Sequence, residues 1–221
     1  MKVLLVEDHA TLAAQLERML ADAGFVVDRT ADGEDALHLV ENEPYDAVVL
    51  DLGLPSLDGV TVLQRWRAAG LTLPVLVLTA RARWPEKLAA FSAGADDYLT
   101  KPFEMQEVIV RLRALMRRAA GAATPELACG PVRLDTDTGT VTVDGRPVRL
   151  TTQELRILEY LLHRPGHVVT RLDIMDHAYD RDSDRDSNVI DVLIGRIRRK
   201  LDVDVIETVR GRGYRLVPPA R

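Results

Sequence analysis

Four apolar segments of the sequence end in residues that could carry out phosphate chemistry. Two segments end in the carboxylates Glu7, Asp8 and Asp51, and the other two end in Thr79 and Lys101. Because the carboxyl ends of parallel strands meet at one edge of a sheet, we expect these five side chains to lie close together. Three carboxylates at close range need a counter-ion, and a hard divalent cation such as Mg²⁺ supplies one. The set predicts phosphorylation of Asp51, with Lys101 balancing charge on the phosphoryl oxygens and Thr79 donating a hydrogen bond.

The elements that must position these residues alternate between apolar runs and amphipathic helical patterns. Helical patterns such as Leu12-Leu16-Met19-Leu20 lie between short runs that end in the polar residues. The runs lie near residues 3–6, 26–27, 47–50, 75–78 and 98–99. Alternation of strand and helix predicts a doubly wound α/β domain, with a parallel sheet of five strands covered on both faces. We expect this domain to span residues 1–118.

The pattern changes after residue 118 and predicts a second, α+β domain. Residues 119–125 are small and include Gly121 and Pro125, which is typical of a linker. Residues 126–221 read as short strands, three helices and a terminal strand–turn–strand. Within them Asp144-Gly145 predicts a hairpin turn and Thr151-x-x-Glu154 a capped helix start. This order predicts a winged helix-turn-helix.

The third helix of that domain, predicted over about 188–200, is the candidate DNA-reading element. At 100° per residue its isoleucines and Leu201 form a core stripe. The opposite side can enter a major groove, where asparagine pairs with adenine, arginine with guanine and valine with a thymine methyl. The candidate contact residues are Asn188, Val189, Val192, Gly195, Arg196, Arg198 and Arg199. Arg210 and Arg212, in a glycine-flanked turn, suit a phosphate backbone or a narrow minor groove.

The charge distribution is compatible with this assignment. Residues 1–120 carry 13 basic and 18 acidic residues, residues 121–221 carry 16 of each, and residues 188–215 carry 7 basic and 4 acidic. The net charge of −5 argues against a general polyanion binder, but a local basic stripe on a neutral domain can bind DNA. The sequence has no 18-residue apolar stretch and no signal-peptide pattern, so we expect a cytoplasmic protein without a membrane segment.

Two sets of motifs resemble a bacterial family. Residues 1 to about 118 resemble the receiver domain of a response regulator, through Glu7-Asp8, Asp51-Leu52-Gly53-Leu54-Pro55, Thr79-Ala80, Gly94-Ala95-Asp96-Asp97-Tyr98 and Lys101-Pro102-Phe103. Residues 127–217 resemble the DNA-binding domain of the OmpR/PhoB class, through segments 164–169, 188–192 and 208–214. Segments 79–87 and 191–200 look most like the PhoP branch of that class.

The receiver resemblance implies a role for each pocket residue. It implies that Asp51 accepts a phosphoryl group from a sensor histidine kinase, expected to be PhoQ-like on this branch. It implies that Asp8, Asp51 and the Gly53 carbonyl bind Mg²⁺. Glu7 stands where many receivers have aspartate, so its metal contact is expected to run through water. The remaining matches are a switch pair, Thr79 and Tyr98, and a phosphate-contacting lysine, Lys101, whose bond to Pro102 is expected to be cis.

The resemblance also implies an assembly. Phosphorylation is expected to form a homodimer whose two-fold interface pairs Lys87 with Glu107, Asp97 with Arg111, and Asp96 with Arg118. The alternative is that these residues form exposed or intrachain pairs. The dimer is expected to bind direct repeats in promoter DNA. Residues 180–186 match the loop that family members use near RNA polymerase, although their alternating charges also suit a solvated loop.

Two other functions use similar residues. An aspartate-nucleophile phosphohydrolase also forms a phosphoaspartate with Mg²⁺, but such enzymes place a second acid two residues after the nucleophile, where this chain has Gly53. We therefore expect a regulator and not an enzyme. A regulator with a vestigial pocket would bind DNA constitutively, and the complete set of pocket residues argues against it.

Overall fold

The computed structural model describes residues 1–80, 83–121, 124–178 and 188–219. The chain divides into two compact units, residues 2–119 and residues 120–221. The last helix of the first unit ends at Ala119 and the first strand of the second unit begins at Glu126. The linker over 119–125 stays a prediction.

The first unit is built on a parallel sheet of five strands, as the sequence predicts. The strands are β1 Lys2–Val6, β2 Val26–Thr30, β3 Ala47–Leu50, β4 Val75–Thr79 and β5 Asp97–Thr100. Their order is β2-β1-β3-β4-β5, so β1 lies beside β3, and β4 separates β3 from β5. In this register Val6 pairs with Leu50 and Thr79 with Thr100. The polar residues that follow β1, β3 and β4 therefore share one edge with those that follow β5.

Four helices connect these strands and a fifth follows the last strand. They are α1 Ala10–Asp22, α2 Gly33–Asn42, α3 Gly59–Ala68, α4 Trp84–Ser92 and α5 Met105–Ala119. The Asp32 carboxylate accepts hydrogen bonds from the Glu34 and Asp35 N–H groups, and Asp58 accepts one from Val60, which satisfies otherwise unpaired donors. Every residue of β1, β3 and β4 is buried, as expected for a parallel sheet covered on both faces.

The second unit contains an antiparallel sheet followed by a helical region and a hairpin. The sheet consists of β6 Glu126–Cys129, β7 Val132–Asp135, β8 Thr140–Val143 and β9 Arg146–Val148, in that order. Asp144 and Gly145 both have positive φ, 48° and 76°, as the predicted two-residue turn requires. The sequence patterns did not indicate β6. Strand β9 follows that turn directly.

The remaining elements form a winged helix-turn-helix. They are α6 Thr152–Leu162, β10 Val168–Val169, α7 Arg171–Ala178, α8 Asn188–Leu201, β11 Ile206–Val209 and β12 Gly213–Leu216. β12 lies between β10 and β11 in a second antiparallel sheet. The sequence patterns did not indicate β10, which is only two residues long. Thr151 and Glu154 exchange the hydrogen bonds of the predicted capping box, at 2.7 and 3.4 Å. In the part of the chain that the structure describes, no helix is long and apolar enough to cross a bilayer.

Candidate phosphoacceptor and DNA-binding sites

The three predicted carboxylates come together at the carboxyl edge of the parallel sheet. Glu7 and Asp8 follow β1, and Asp51 follows β3. Each residue offers a carboxylate oxygen that lies within 4.8 Å of those of the other two. Glu7 is 1% exposed and Asp51 7%, whereas Asp8 is open to solvent. The site thus combines two desolvated acids with one that a solvent-borne ion can reach.

Lys101 closes this group of acids. Its Nζ lies 2.7 and 2.9 Å from the two Glu7 oxygens and 2.6 Å from Asp51 Oδ2. The backbone holds the lysine here, because the Lys101 N–H donates to the Thr79 carbonyl of β4 at 2.9 Å. The Lys101–Pro102 bond is cis, as the resemblance implies.

Burial and charge shift the pKa values of these groups. Burial raises the pKa of Glu7, and the hydrogen bonds from Lys101 offset that effect only in part. Burial also disfavours the charged form of Lys101, but its hydrogen bonds to Asp51 and Glu7 outweigh burial and raise its pKa. Three carboxylates against one ammonium leave excess negative charge. A divalent cation with oxygen ligands fits that donor set.

Two glycines shape the loop after Asp51. The Gly53 N–H donates to Asp51 Oδ1 at 3.0 Å, which orients the carboxylate. A Cβ built on Gly59 would lie 2.4 Å from the Asp51 carbonyl oxygen, so only glycine permits α3 to begin this close to the pocket. The Asp58-Gly59 motif therefore has a packing reason as well as a capping one.

The predicted switch residues lie on the two strands next to the pocket. Thr79 ends β4 and is buried, and Tyr98 of β5 is buried under α4. The Tyr98 ring lies 6.2 Å from the Phe91 ring, and Lys87 Nζ lies 5.6 Å from the Tyr98 ring centre. Through Tyr98, these contacts connect β5 to the surface of α4.

The residues predicted for a dimer interface have intrachain partners in the single chain. Arg111 binds Asp97 at 2.9 and 3.1 Å and Glu107 at 2.5 and 2.8 Å. The Asp96 carboxylate accepts from Arg67 Nη2 at 2.9 Å and from the Val75 N–H at 2.8 Å. Arg118 Nε donates to the Ala114 carbonyl at 3.3 Å. Around these pairs the surface of α4 and α5 exposes four large apolar side chains, those of Trp84, Leu88, Phe91 and Val110.

Helix α8 separates a buried side from an open one, as predicted. Ile190, Ile194, Ile197 and Leu201 are all buried, and Leu193 joins them. On the other side Val192 is 51% exposed, and Val189, Arg196 and Arg199 are exposed too. A Cβ built on Gly195 meets no atom of the described residues within 4 Å, so this glycine does not serve helix packing. Asn188 is the first residue of α8.

The arginines of the predicted DNA site differ in what they bind. Arg198 donates through Nε and Nη2 to the Ile206 carbonyl, at 3.0 and 2.7 Å, and through Nη2 to Thr208 Oγ1 at 2.8 Å. It is half-buried and fastens α8 to β11. Arg210 and Arg212 are exposed in the turn between β11 and β12. Residues 180–186, predicted to lie near RNA polymerase, are outside the described residues.

A polar cluster at the base of α8 has no signature in the sequence. Arg171 of α7 binds both carboxylate oxygens of Asp191, at 2.8 and 3.2 Å, and the Tyr214 hydroxyl of β12 donates to the same carboxylate. At the other end of α8, Lys200 Nζ lies 2.5 Å from Glu154 of α6. The two Asp191 partners lie 20 and 23 residues away along the chain, and no motif in the sequence connects them.

Comparison with known proteins agrees with both domains. The chain matches the response regulator receiver domain family over residues 3–113 and the C-terminal domain of transcriptional regulatory proteins over residues 145–216. It is 44% identical to the two-component response regulator PhoP of Pseudomonas aeruginosa, over 97% of each chain. The chain belongs to the OmpR/PhoB class of response regulators, on the PhoP branch. The regulator is also 41% identical to the transcriptional regulatory protein PhoP of Escherichia coli K12, over 97% of this chain and 98% of that one.

A solved structure supports the receiver fold. The receiver domain of the Francisella response regulator 1452 is 34% identical to the regulator, with a TM-score of 0.52, and the match covers 53% of this chain and 98% of that one. The protein is therefore a DNA-binding two-component response regulator. A receiver domain implies a cognate histidine kinase, and the second domain implies a DNA partner. Its family is one of transcriptional regulators, which is not an enzyme class.

Proposed function

We propose that phosphorylation of Asp51 by a sensor histidine kinase makes the regulator dimerise and bind promoter DNA. The observation that carries the proposal is the convergence of Asp51, two further carboxylates and Lys101 at one sheet edge. The same chain presents an exposed face of α8 with the size and chemistry of a base-reading helix. The kinase is expected to be PhoQ-like, and the regulator is expected to act in the cytoplasm, where promoter DNA is found.

The chemistry starts at the Asp51 carboxylate. One of its oxygens bonds to phosphorus while the bond from phosphorus to the kinase histidine breaks. Asp8, Asp51 and the Gly53 carbonyl would hold Mg²⁺, with Glu7 acting through a water molecule. Bound Mg²⁺ supplies positive charge that lowers repulsion between the carboxylate and the incoming phosphoryl group. Lys101, already 2.6 Å from Asp51 Oδ2, stays close enough to bind a phosphoryl oxygen after transfer.

Residues on the neighbouring strands β4 and β5 respond to the phosphoryl group. Thr79 ends β4 beside the pocket and donates its hydroxyl to a phosphoryl oxygen, and Tyr98 follows on β5. Because Tyr98 contacts Phe91 and Lys87 of α4, a shift at the pocket reaches the outer surface of α4 and α5. That surface combines four exposed apolar side chains with charged neighbours, which suits an isologous interface.

Dimerisation replaces ion pairs within one chain with ion pairs between the two chains. Arg111 already binds Asp97 and Glu107 within one chain, so pairing across the two-fold axis replaces intrachain contacts with equivalent ones. Exposed pairs of this kind contribute about 0–1 kcal/mol each. The apolar patch therefore supplies most of the association energy, and the pairs Lys87–Glu107, Asp97–Arg111 and Asp96–Arg118 set the geometry.

The dimer then positions two DNA-binding domains on direct repeats. Helix α8 enters the major groove with Val192 and Gly195 toward the bases. Arg210 and Arg212 reach the phosphate backbone or the adjacent minor groove. Phosphate contacts are sensitive to salt and blind to sequence, whereas base contacts discriminate. RNA polymerase is proposed to contact residues 180–186, which lie outside the described residues.

A phosphotransfer experiment tests the proposal at its first step. Purified regulator is exposed to labelled acetyl phosphate with Mg²⁺, and incorporated label is measured after denaturation. We expect label in the wild type and in Asp22→Asn, a matched aspartate change at the exposed end of α1, and none in Asp51→Asn. Label in Asp51→Asn at the wild-type level would refute the assignment.

A further inference from the structure

The base of α8 carries a carboxylate in an unusual place for a helix that approaches DNA. Asp191 is in the first turn of α8, next to the exposed Val192, and its side chain is about half exposed. An unpaired carboxylate there would repel the DNA phosphates. This one is engaged by three donors, two from Arg171 of α7 and one from Tyr214 of β12.

The three donors fix both the charge and the direction of the Asp191 side chain. The hydrogen bond from Arg171, together with that from Tyr214, lowers the pKa of Asp191. Burial and then the hydrogen bond to Asp191 raise the pKa of Tyr214 to about 12, so the tyrosine stays a donor at neutral pH. A planar guanidinium that contacts both carboxylate oxygens also restricts rotation of the pair.

The cluster joins the helix to the wing, the β11–β12 hairpin. Tyr214 follows the wing turn at a distance of two residues from Arg212. Arg198 lies about two turns after Asp191 in α8. It adds a second link, because it binds the Ile206 carbonyl and Thr208 on β11. The guanidinium carbons of Arg171 and Arg198 lie 5.4 and 6.0 Å from the Tyr214 ring centre. Helix and wing are thus tied at both strands of the hairpin.

The backbone under Tyr214 adds to this fixation. Gly213 has φ 143°, and a Cβ at this position would lie 2.0 Å from the Val169 carbonyl oxygen. Only glycine lets β12 approach β10 so closely, and Tyr214 pairs directly with Val169. The hydroxyl of Tyr214 therefore reaches Asp191 from a strand with little freedom to shift.

We propose that Asp191 is a positioning residue that couples the base-reading face of α8 to the wing. It holds the distance between the two elements so that α8 and the Arg210–Arg212 turn engage neighbouring grooves of one site together. The inference rests on the proposed DNA binding. A direct role for Asp191 in reading a cytosine amino group is the competing explanation, and the three donors already bound to its oxygens argue against it.

The test compares specific with nonspecific affinity. Full-length wild-type regulator, activated with beryllofluoride and Mg²⁺, first selects a site from a random DNA pool, and binding to that site and to a scrambled duplex is measured by fluorescence anisotropy. Tyr214→Phe removes one hydroxyl. We expect it to weaken binding to the selected site about tenfold while leaving scrambled DNA nearly unaffected. Glu207→Gln, which breaks a different ion pair of the same hairpin, is the matched control and should bind like wild type.

A double substitution separates positioning from general stability. If the cluster acts by placing the wing, Tyr214→Phe should add little once Arg210→Ala has removed a wing contact. Independent, multiplying losses would overturn the inference. Arg171→Lys keeps the charge but loses the two-pronged contact, so it should reproduce the effect of Tyr214→Phe and serves in its place should that variant unfold.

The remaining outcomes are also decisive. If Asp191 read a base, Asp191→Asn would change the preferred base at one position of the selected site, and Tyr214→Phe would not. That result would overturn the inference. Wild-type discrimination retained in both Tyr214→Phe and Arg171→Lys would overturn it as well. If wild type enriched no site at all, the proposed DNA recognition would fail instead, and the two failures are therefore distinct.

Discussion

The regulator contains two polar clusters that treat charge in opposite ways. At the candidate phosphoacceptor pocket three carboxylates face one ammonium, so negative charge is in excess. Burial raises the pKa of Glu7. Burial opposes the charged form of Lys101, but its hydrogen bonds to Asp51 and Glu7 outweigh burial and raise its pKa. At the base of α8 the Asp191 carboxylate is matched by Arg171 and by the Tyr214 hydroxyl. Excess negative charge suits the pocket's proposed role of accepting an ion and a phosphoryl group. A fully paired carboxylate suits the proposed role of Asp191 in holding two elements in register.

The largest effect is expected from a new carboxylate on the face of α8 that is proposed to enter the groove. Gly195→Glu adds bulk there, and its charge would face the DNA phosphates. We expect loss of specific DNA binding of at least about a hundredfold, since several base and phosphate contacts are lost together. Circular dichroism checks folding, and anisotropy measures binding.

Two variants control for that substitution. Gly195→Ala should stay within about threefold of wild type in binding, because open space surrounds the position. Gln153→Glu places the same charge on an exposed position of α6 and should bind normally. A folded Gly195→Glu variant with wild-type affinity would remove α8 as the reading element.

The second prediction concerns the excess charge of the pocket. Mg²⁺ should raise the unfolding temperature of the wild type, because a ligand that binds the folded state stabilises it in proportion to its concentration over its dissociation constant. In Asp8→Asn this increment should largely disappear, and chelation with EDTA should abolish it in the wild type. Differential scanning fluorimetry measures the effect.

The same experiment has an informative counterpart. Lys101→Met removes the ammonium that competes with the metal, so half-saturation should occur at a lower Mg²⁺ concentration than in the wild type. If Mg²⁺ left the unfolding temperature of the wild type unchanged, the cluster would not be a cation site.

The third prediction uses the matched charge at the far end of α8. Burial favours the protonated form of Glu154, but hydrogen bonds from Lys200 and Thr151 outweigh it and lower its pKa below the ordinary 4.5. A depressed folded-state pKa stabilises the protein above the unfolded value and loses that contribution as pH falls. Glu154→Gln should therefore lower the free energy of unfolding by about 1 kcal/mol at pH 7.

The pH dependence is the diagnostic part of that prediction. The difference between wild type and Glu154→Gln should shrink as the pH falls from 7 to below 4.5, measured by urea unfolding. The exposed neighbour Gln153, on the same turn of α6, provides the control: Gln153→Ala should show no pH-dependent difference from the wild type. A gap that widened toward acid would mean that the ion pair does not stabilise the fold.

The smallest effect is expected at the receiver interface, where charges only exchange partners. Arg111→Ala should weaken beryllofluoride-dependent dimerisation by about twofold to fourfold, measured by light scattering, because each exposed pair contributes little. Arg29→Ala, which breaks the exposed pair with Glu17 elsewhere in the same domain, should dimerise normally. Unchanged dimerisation in both Arg111→Ala and Arg118→Ala would count against this interface.

The sequence was informative wherever an element depends on local pattern. The strand ends that carry Glu7, Asp51, Thr79 and Lys101 are apolar runs closed by polar residues, and the hairpin at Asp144-Gly145 depends on two adjacent residues. Strands β6 and β10 could not be predicted in this way. Strand β6 reads Glu-Leu-Ala-Cys, without β-branched or aromatic residues, and β10 is Val-Val but only two residues long.

Side-chain partners were the least predictable feature. Arg198 was among the predicted DNA contacts, yet its guanidinium binds the β11 backbone. Asp191 and Tyr214 meet only because the wing folds back against α8. Long, flexible side chains choose among several acceptors within reach, and the choice depends on tertiary geometry that periodicity does not encode.

Strand β9 has a consequence for how the regulator avoids unwanted self-association. It is the outer strand of its sheet, and Pro147 pairs with Thr142 directly beyond the pair that flanks the two-residue turn. At that position of a hairpin, backbone groups point away from the partner strand toward the open edge. Proline has no N–H to offer there, so the edge is a poor template for a strand from another molecule. A second copy of this domain therefore finds few backbone donors at β9 with which to extend the sheet.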